Sequence, residues 1–293
     1  MAGVMSSSKI IVTGSNGQLG GEIKDLSTHF PQYDFIFLSR EDVSITDIVS
    51  LKNVFDQHHP EWVVNCAAYT AVDKAETEKD MAFEINGTAV GHLAELCREH
   101  NANFIHISTD YVFNGSGNKP WKETDVADPL SVYGASKLQG ELQALKNNPQ
   151  SIIIRTSWVY SSYGKNFLKT MIRLMKEKDS INVVNDQYGS PTYAADLASA
   201  IMQIIVAGKI IPGVFHFSNT GGITWFEFAE EIRRIIQFDC EVKPISTEQY
   251  PTPATRPHYS VLDTTKIQQE YGIILKNWKD SLLKCIQKLT AIS

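Results

Sequence analysis

The sequence predicts an α/β protein built on a doubly wound parallel sheet, followed by a smaller α/β carboxyl-terminal domain. Three observations carry that reading. Over the first two-thirds of the chain, short apolar runs alternate with longer segments of helical period, the pattern of βαβ units. The runs are continuously apolar rather than alternating, as befits strands covered on both faces. After about residue 157 the texture changes to prolines and aromatics, as in NDQYGSPTY (185–193) and YPTPATRPHY (250–259). The domain division that follows is 1–157, with 190–212 returning to it, against 158–293, so that the two are interleaved.

KIIVT (9–13) is the first strand, and Leu19, Ile23, Leu26 and Phe30 recur behind it at helical spacing. DFIFL (34–38), EWVVNCA (61–67), NFIHIS (103–108) and SIIIRT (151–156) are the later strands. Val90, Leu93, Leu96 and Cys97 mark a helix between the third and fourth, and right-handed crossovers complete the winding. Farther on, Thr224-Trp225-Phe226-Glu227 has the form of a capping box ahead of a helix carrying Phe228, Ile232 and Ile235.

The bulk numbers exclude several partners. A chain of 293 residues, 43% hydrophobic, can bury a full core. Its formal charge of -6 gives no footprint for nucleic acid or an anionic membrane. Cys66, Cys97, Cys240 and Cys285 lie far apart in apolar segments, which reads as reduced thiols in the cytoplasm. No apolar run approaches the ~20 residues of a membrane span. The leader MAGVMSSS, part of which reads as a cloning remnant, runs straight into Ile10–Val12 without a signal-peptide core. The histidines show no metal-ligand spacing, His58-His59 reading as a solvated helix end, and no metal is expected.

Gly14-Ser15-Asn16-Gly17-Gln18-Leu19-Gly20 follows the first strand and opens the first helix. In that place, glycines let backbone approach a pyrophosphate while the helix's free N–H groups face the anion. The spacing G-x-x-G-x-x-G differs from G-x-G-x-x-G, so position in the fold carries the dinucleotide reading of Gly14, Gly17 and Gly20. About twenty residues on, where an acid would hold the ribose of NAD, stand Ser39 and Arg40. A hydroxyl beside a guanidinium suits a 2′-phosphate and favours NADPH. Glu41 and Asp42 follow at once and keep NADH as the alternative.

Strand carboxyl ends face the ligand crevice of such a sheet, which puts Thr109, after NFIHIS, beside the nicotinamide. In SVYGASK (131–137), Tyr133 opens a helix and Lys137 lies on the same face at i+4. Reducing a ketone needs an acid at the oxygen, and a nearby ammonium lowers a phenol's pKa from ~10 toward use.

The combination resembles the extended short-chain dehydrogenase/reductase superfamily, which has the Rossmann fold, and more narrowly the dTDP-4-dehydrorhamnose reductase family. VTGSNGQLG, VVNCAAYTAVDKAE, NGTAV, ISTDYVFNG, DPLSVYGASKLQGE, RTSWVYSSYGKNF and QYGSPTY carry the resemblance, with the late Thr255-Arg256-Pro257, over nearly the whole chain. The family often has alanine where Cys66 stands. The resemblance implies a dTDP-sugar substrate, with Thr109 on its C4 carbonyl, Tyr133 as proton donor and Lys137 on the nicotinamide ribose. It further implies that Gly17, Gln18 and Leu19 touch the pyrophosphate, Asp42 and Val43 the adenosine end, and Ala67, Ala68 and Tyr69 the adjoining ribose and phosphates. Asn86 would be the superfamily's active-site asparagine. Trp158 would meet the sugar ring, where an apolar indole suits a 6-deoxy sugar. Lys165, Asn166, Gln187 and Arg256 are the candidates for the nucleotide diphosphate and thymine, Arg256 for a phosphate because of its planar fork. The activity so implied is reduction of dTDP-4-dehydro-L-rhamnose by NADPH or NADH, with a homodimer as the candidate assembly. Three other readings stay open: another nucleotide-sugar enzyme of the superfamily, such as a 4,6-dehydratase or 4-epimerase, a non-catalytic regulatory subunit similar to the methionine adenosyltransferase β subunit, and a dinucleotide-binding redox sensor.

Overall fold

A computed structural model describes residues 8–292, so residues 1–7 of the polar leader, and the reading attached to them, lie outside the described residues. β1 (Ser8–Thr13) runs through the glycine turn into α1 (Gln18–Ser27), and β2 (Tyr33–Leu38), α2 (Ile48–His58) and β3 (Trp62–Asn65) follow. Two short helices, α3 (Val72–Ala75) and α4 (Lys79–Phe83), lead through a π-helical turn at Glu84–Thr88 into α5 (Ala89–Glu99). β4 (Asn103–Thr109), α6 (Val132–Asn147) and β5 (Ile152–Thr156) complete the alternation. Each of the five apolar runs forms a strand. EWVVNCA forms a shorter one than its apolar length, because the chain turns after Asn65, whose side chain accepts the Ala67 N–H at 3.2 Å. His58 ends α2, and His59 caps it in the left-handed region at φ 48°.

The rest of the chain alternates short ladders with helices. β6 (Val159–Tyr160), α7 (Phe167–Glu177), β7 (Ser180–Val184), β8 (Tyr188–Gly189) and β9 (Thr192–Tyr193) precede α8 (Ala194–Ala207). Then come β10 (Gly213–His216), β11 (Ile223–Thr224), α9 (Trp225–Ile236), β12 (Glu241–Ile245), α10 (Thr265–Tyr271) and α11 (Trp278–Ile292). The capping box at α9 forms as the sequence predicts: Thr224 Oγ1 accepts the Glu227 N–H at 3.2 Å, and Glu227 Oε2 accepts the Thr224 N–H at 2.7 Å.

The main sheet is parallel throughout, in the order β10-β5-β4-β3-β1-β2. The winding reverses between β1 and β3, so a crevice opens there at the strand carboxyl ends. Pleating sends alternate side chains to opposite faces. Ile10, Val12, Ile105 and Ile154 join one core with residues of α1 and α8, while Ile11, Val63, Phe104 and Ile153 join another with residues of α2 and α5. Each fully buried aliphatic side chain contributes roughly 1.5–3 kcal/mol.

The first of these cores reaches past residue 212 to Phe215 and Phe217 and takes in Ile267 and Ile273. A separate cluster, with Tyr160, Leu168, Phe228, Ile232, Trp278 and Leu282, unites the later helices. Cys66, Cys97, Cys240 and Cys285 are free thiols. Among the described residues, no helix is long and apolar enough to cross a membrane, and no group of three His, Cys, Asp or Glu side chains converges as a metal site.

Candidate active site

A cavity of about 900 Å³ opens at the switch point. The wall includes Gly14, Gly17, Gln18 and Leu19 from the turn after β1, Arg40 and Val43 from the end of β2, and Ala67, Ala68 and Tyr69 from the end of β3. Thr109, Tyr133, Lys137, Trp158 and Lys165 complete the set of sequence-predicted residues that meet there.

Gly14 sits at φ +65°, and a Cβ on it would lie 2.7 Å from the Ala67 nitrogen. A Cβ on Gly20 would lie 2.5 Å from the Gly14 oxygen, so Gly20 lets the turn fold down on α1 and does not line the crevice. Helix α1 begins at Gly17 without a side-chain cap and without an acidic residue in its first turn, which leaves its N–H groups and dipole to an anion. This cradle, whose tight turn a Cβ at Gly14 or Gly20 would force open against neighbouring backbone, fits a dinucleotide pyrophosphate. At the end of β2, the Ser39 hydroxyl accepts the Glu41 and Asp42 N–H groups, and Asp42 Oδ2 accepts the Ser39 N–H at 2.8 Å. These bonds hold the Asp42 carboxyl below its ordinary range and use it to close the loop, away from the crevice wall. Arg40 stays exposed on the wall.

Thr109 ends β4, where its hydroxyl donates to Asp110 Oδ1 at 3.0 Å and accepts the Tyr111 N–H at 3.2 Å. Ser131 caps α6, so Tyr133 projects from the first turn. Gly134 permits this approach, since a Cβ there would lie 2.2 Å from the Tyr111 oxygen. Tyr133 packs edge-on against Tyr111 with ring centroids 5.8 Å apart. Burial pushes the Tyr133 phenol up to about 12, against the pull of the Thr109 hydroxyl. The sequence reading has the Lys137 ammonium lowering that pKa. In the structure, Lys137 Nζ donates to the Ile107 oxygen at 2.6 Å and lies 3.2 Å from His106 Nε2, and burial brings it down to about 8.

Asn86 does not line the cavity. The π-helical turn aims its buried amide at Tyr69, accepting that residue's N–H at 2.8 Å and donating to its oxygen at 3.0 Å. Its amide also donates to Ser136 Oγ, which in turn donates to the Tyr133 oxygen. Asn86 therefore clips the end of β3 to the helix carrying Tyr133. Gly140 lets that helix come close, because a Cβ there would lie 2.1 Å from the Asn86 oxygen.

Trp158 holds a left-handed φ of 46° and stacks on Trp225, centroids 3.5 Å apart and planes 9° apart. Both indoles line the crevice. Trp225 is a wall residue the sequence shows only as part of a helix cap, because its place depends on the long-range stack. Asp110 and Tyr111 also line the crevice, with only their place beside Thr109 in ISTDYVFNG to signal them.

Three substrate candidates are engaged elsewhere. Asn166 caps α7 through the Lys169 N–H at 3.0 Å and donates to Gln18 Oε1 and to the Ser161 oxygen. Gln187 is buried and donates to Thr247 Oγ1 at 3.0 Å. The fork of Arg256 grips Asp73 at 3.1 and 2.9 Å. None of the three lines the cavity.

The switch-point cradle, with a threonine, tyrosine and lysine lining the same cavity, defines a dinucleotide-binding α/β protein of the reductase class. More narrowly, the chain belongs to the family described as RmlD substrate binding domain, whose model matches residues 8–291. It is 40% identical over 284 residues to a dTDP-4-dehydrorhamnose reductase of Aggregatibacter actinomycetemcomitans, covering 94% of this chain and 97% of that one. It is likewise 40% identical over 282 residues to the spore coat polysaccharide biosynthesis protein SpsK of Bacillus subtilis, covering 96% and 97%. Among solved structures, a dTDP-4-dehydrorhamnose reductase from Clostridium acetobutylicum superposes with a TM-score of 0.93 at 40% identity, over 96% of this chain and 99% of that one. One from Bacillus anthracis, solved in complex with NADP, gives 0.92 at 37% identity, over 97% and 100%.

Proposed function

We propose that this chain is a dTDP-4-dehydrorhamnose reductase that uses NADPH to convert the 4-keto group of dTDP-4-dehydro-L-rhamnose to the alcohol of dTDP-L-rhamnose. The observation that carries the reading is the convergence of Thr109, Tyr133 and Lys137 on the cavity that the glycine cradle also lines. When bound, NADPH supplies the hydride that reduces C4. Gly14, Gly17, Gln18 and Leu19 would hold its pyrophosphate at the start of α1, and Arg40 would pair with the 2′-phosphate. Thr109 holds the C4 oxygen, and Tyr133 protonates it as charge develops. Lys137, as the ammonium, steadies the phenolate that Tyr133 becomes and donates to the ribose hydroxyls. Trp158 and Trp225 set an apolar aromatic wall for the deoxy sugar. The sheet core is then the cofactor domain, and the cluster around Phe228 and Trp278 the substrate domain.

The free thiols support a cytoplasmic location. A homodimer is carried over from the family resemblance, and sedimentation of the purified protein tests it. For the activity, the test is nicotinamide absorbance with NADPH and freshly generated dTDP-4-dehydro-L-rhamnose, repeated with NADH. Rapid oxidation with dTDP-rhamnose as product is the expected result. Tight cofactor binding without oxidation would overturn the proposal.

A further inference from the structure

Thr13 and Asn65, at the ends of β1 and β3, stand side by side with His106 in the middle of β4, because the register pairs Thr13 with Asn65 and Asn65 with His106. Their neighbours Val12, Val64 and Ile105 face the α1 and α8 core, so this row points to the opposite face, toward α6. All three are buried. The Thr13 hydroxyl donates to Asn65 Oδ1 at 2.6 Å, and the Ala67 backbone N–H donates to the same oxygen at 3.2 Å. A backbone N–H can only donate, so the oxygen of Asn65 faces it and the amide nitrogen faces His106 Nδ1, 3.0 Å away. Turning the ring over would put a carbon there and strand a buried N–H. Nδ1 is therefore an acceptor.

Burial holds His106 well below the ordinary histidine pKa, so the ring is neutral and its single proton sits on Nε2. That N–H is directed at Lys137 Nζ, 3.2 Å away. An ammonium there would oppose N–H to N–H, whereas a neutral amine accepts the bond and still donates to the Ile107 oxygen. Other titratable groups facing Lys137 are Cys66 at the end of β3, with Tyr133 and Glu141 on α6. Glu141 is itself engaged by Arg155 at 2.6 Å and by Ser108.

We propose that His106, its tautomer fixed by Asn65 and Thr13, is a positioning residue that disfavours charge on Lys137 and so sets the alkaline limit of the reaction. The proposal rests on the assigned role of Lys137. If the ammonium is the working form, activity is full at low pH and falls as pH rises through the lysine's depressed pKa. His106→Gln places a carbonyl acceptor where Nε2–H stood, and Asn65→Asp turns the ring to Nδ1–H, so that Nε2 accepts instead. Both favour the ammonium.

The experiment measures the pH profiles of kcat/KM and of NADPH affinity for the wild type and both variants, with NADPH affinity near neutrality as the folding control. An upward shift of the alkaline limb by one pH unit, about a tenfold gain in the rate well above it, is the result expected of His106→Gln and Asn65→Asp. A limb unmoved in either folded variant overturns the proposal, because loss of packing alone would lower the whole curve without displacing it. The binding profile separates this from the functional reading: a wild type that binds NADPH but reduces no keto sugar refutes the reductase, while His106 is still judged by the limb in affinity.

Discussion

Asn166 Nδ2 donates to Gln18 Oε1 at 2.9 Å, joining the glycine turn to the loop that follows Trp158. Gln18 in turn donates to the Val159 oxygen. The same asparagine caps α7, so Asn166→Ala removes a cap and a link between the two halves of the crevice. Loss of the cap costs about 1 kcal/mol, a fall in Tm of roughly 2–4 °C. Loss of the link weakens NADPH binding about threefold, the size of one partly exposed hydrogen bond. Thermal unfolding and a fluorescence titration measure the two effects separately.

Tyr133→Phe leaves the ring and removes the proton donor. The expected outcome is a fall in kcat of about 10²–10⁴-fold with NADPH affinity retained. Steady-state kinetics beside a binding titration check it, and a variant within threefold of the wild type would remove Tyr133 from its role.

Gly134→Ala touches no ligand, but its Cβ would meet the Tyr111 oxygen at 2.2 Å and push the first turn of α6 outward. Misplacing a reacting group by about 1 Å costs on the order of 10²-fold in rate. Single-turnover kinetics should show that loss in the chemical step, with the cofactor affinity close to wild type.

Arg256 holds the Asp73 carboxyl below its ordinary range, chiefly through their hydrogen bonds. A depressed carboxylate contributes stability that is present above its unfolded pKa and is lost as pH falls through the lower, folded value. The pair is partly exposed, which limits its worth to about 0.5–1 kcal/mol. Asp73→Asn should therefore lower Tm slightly near neutrality, and the gap to the wild type should close below about pH 4. Calorimetry across that range reads it directly.

The first five strands were legible because IIV, FIF, WVV, FIHI and III are apolar runs broken only by His106, and being sandwiched between two helix layers demands that. β10 was not, since GVFH is short and gains its strand state only by pairing with β5. The two-residue strands β6, β8, β9 and β11 are pairings of distant loops, and no local pattern encodes them. The same division runs through the site. Gly14, Thr109, Tyr133 and Lys137 follow from strand ends and helix spacing, which the sequence displays. The engagement of Arg256 with Asp73, of Gln187 with Thr247 and of Asn86 with Tyr69 follows from contacts that long-range packing creates. A side chain's chemistry was readable, but the partner that claims it was not.

In the proposed reaction a hydride reaches C4 of the sugar while Tyr133 protonates its oxygen. The direct measurement is mass and NMR analysis of the product formed from dTDP-4-dehydro-L-rhamnose with NADPH carrying deuterium on the transferring face of the nicotinamide. The expected product is dTDP-L-rhamnose with one deuterium at C4. Product without deuterium at C4, or no product from a protein that binds the cofactor, would contradict it.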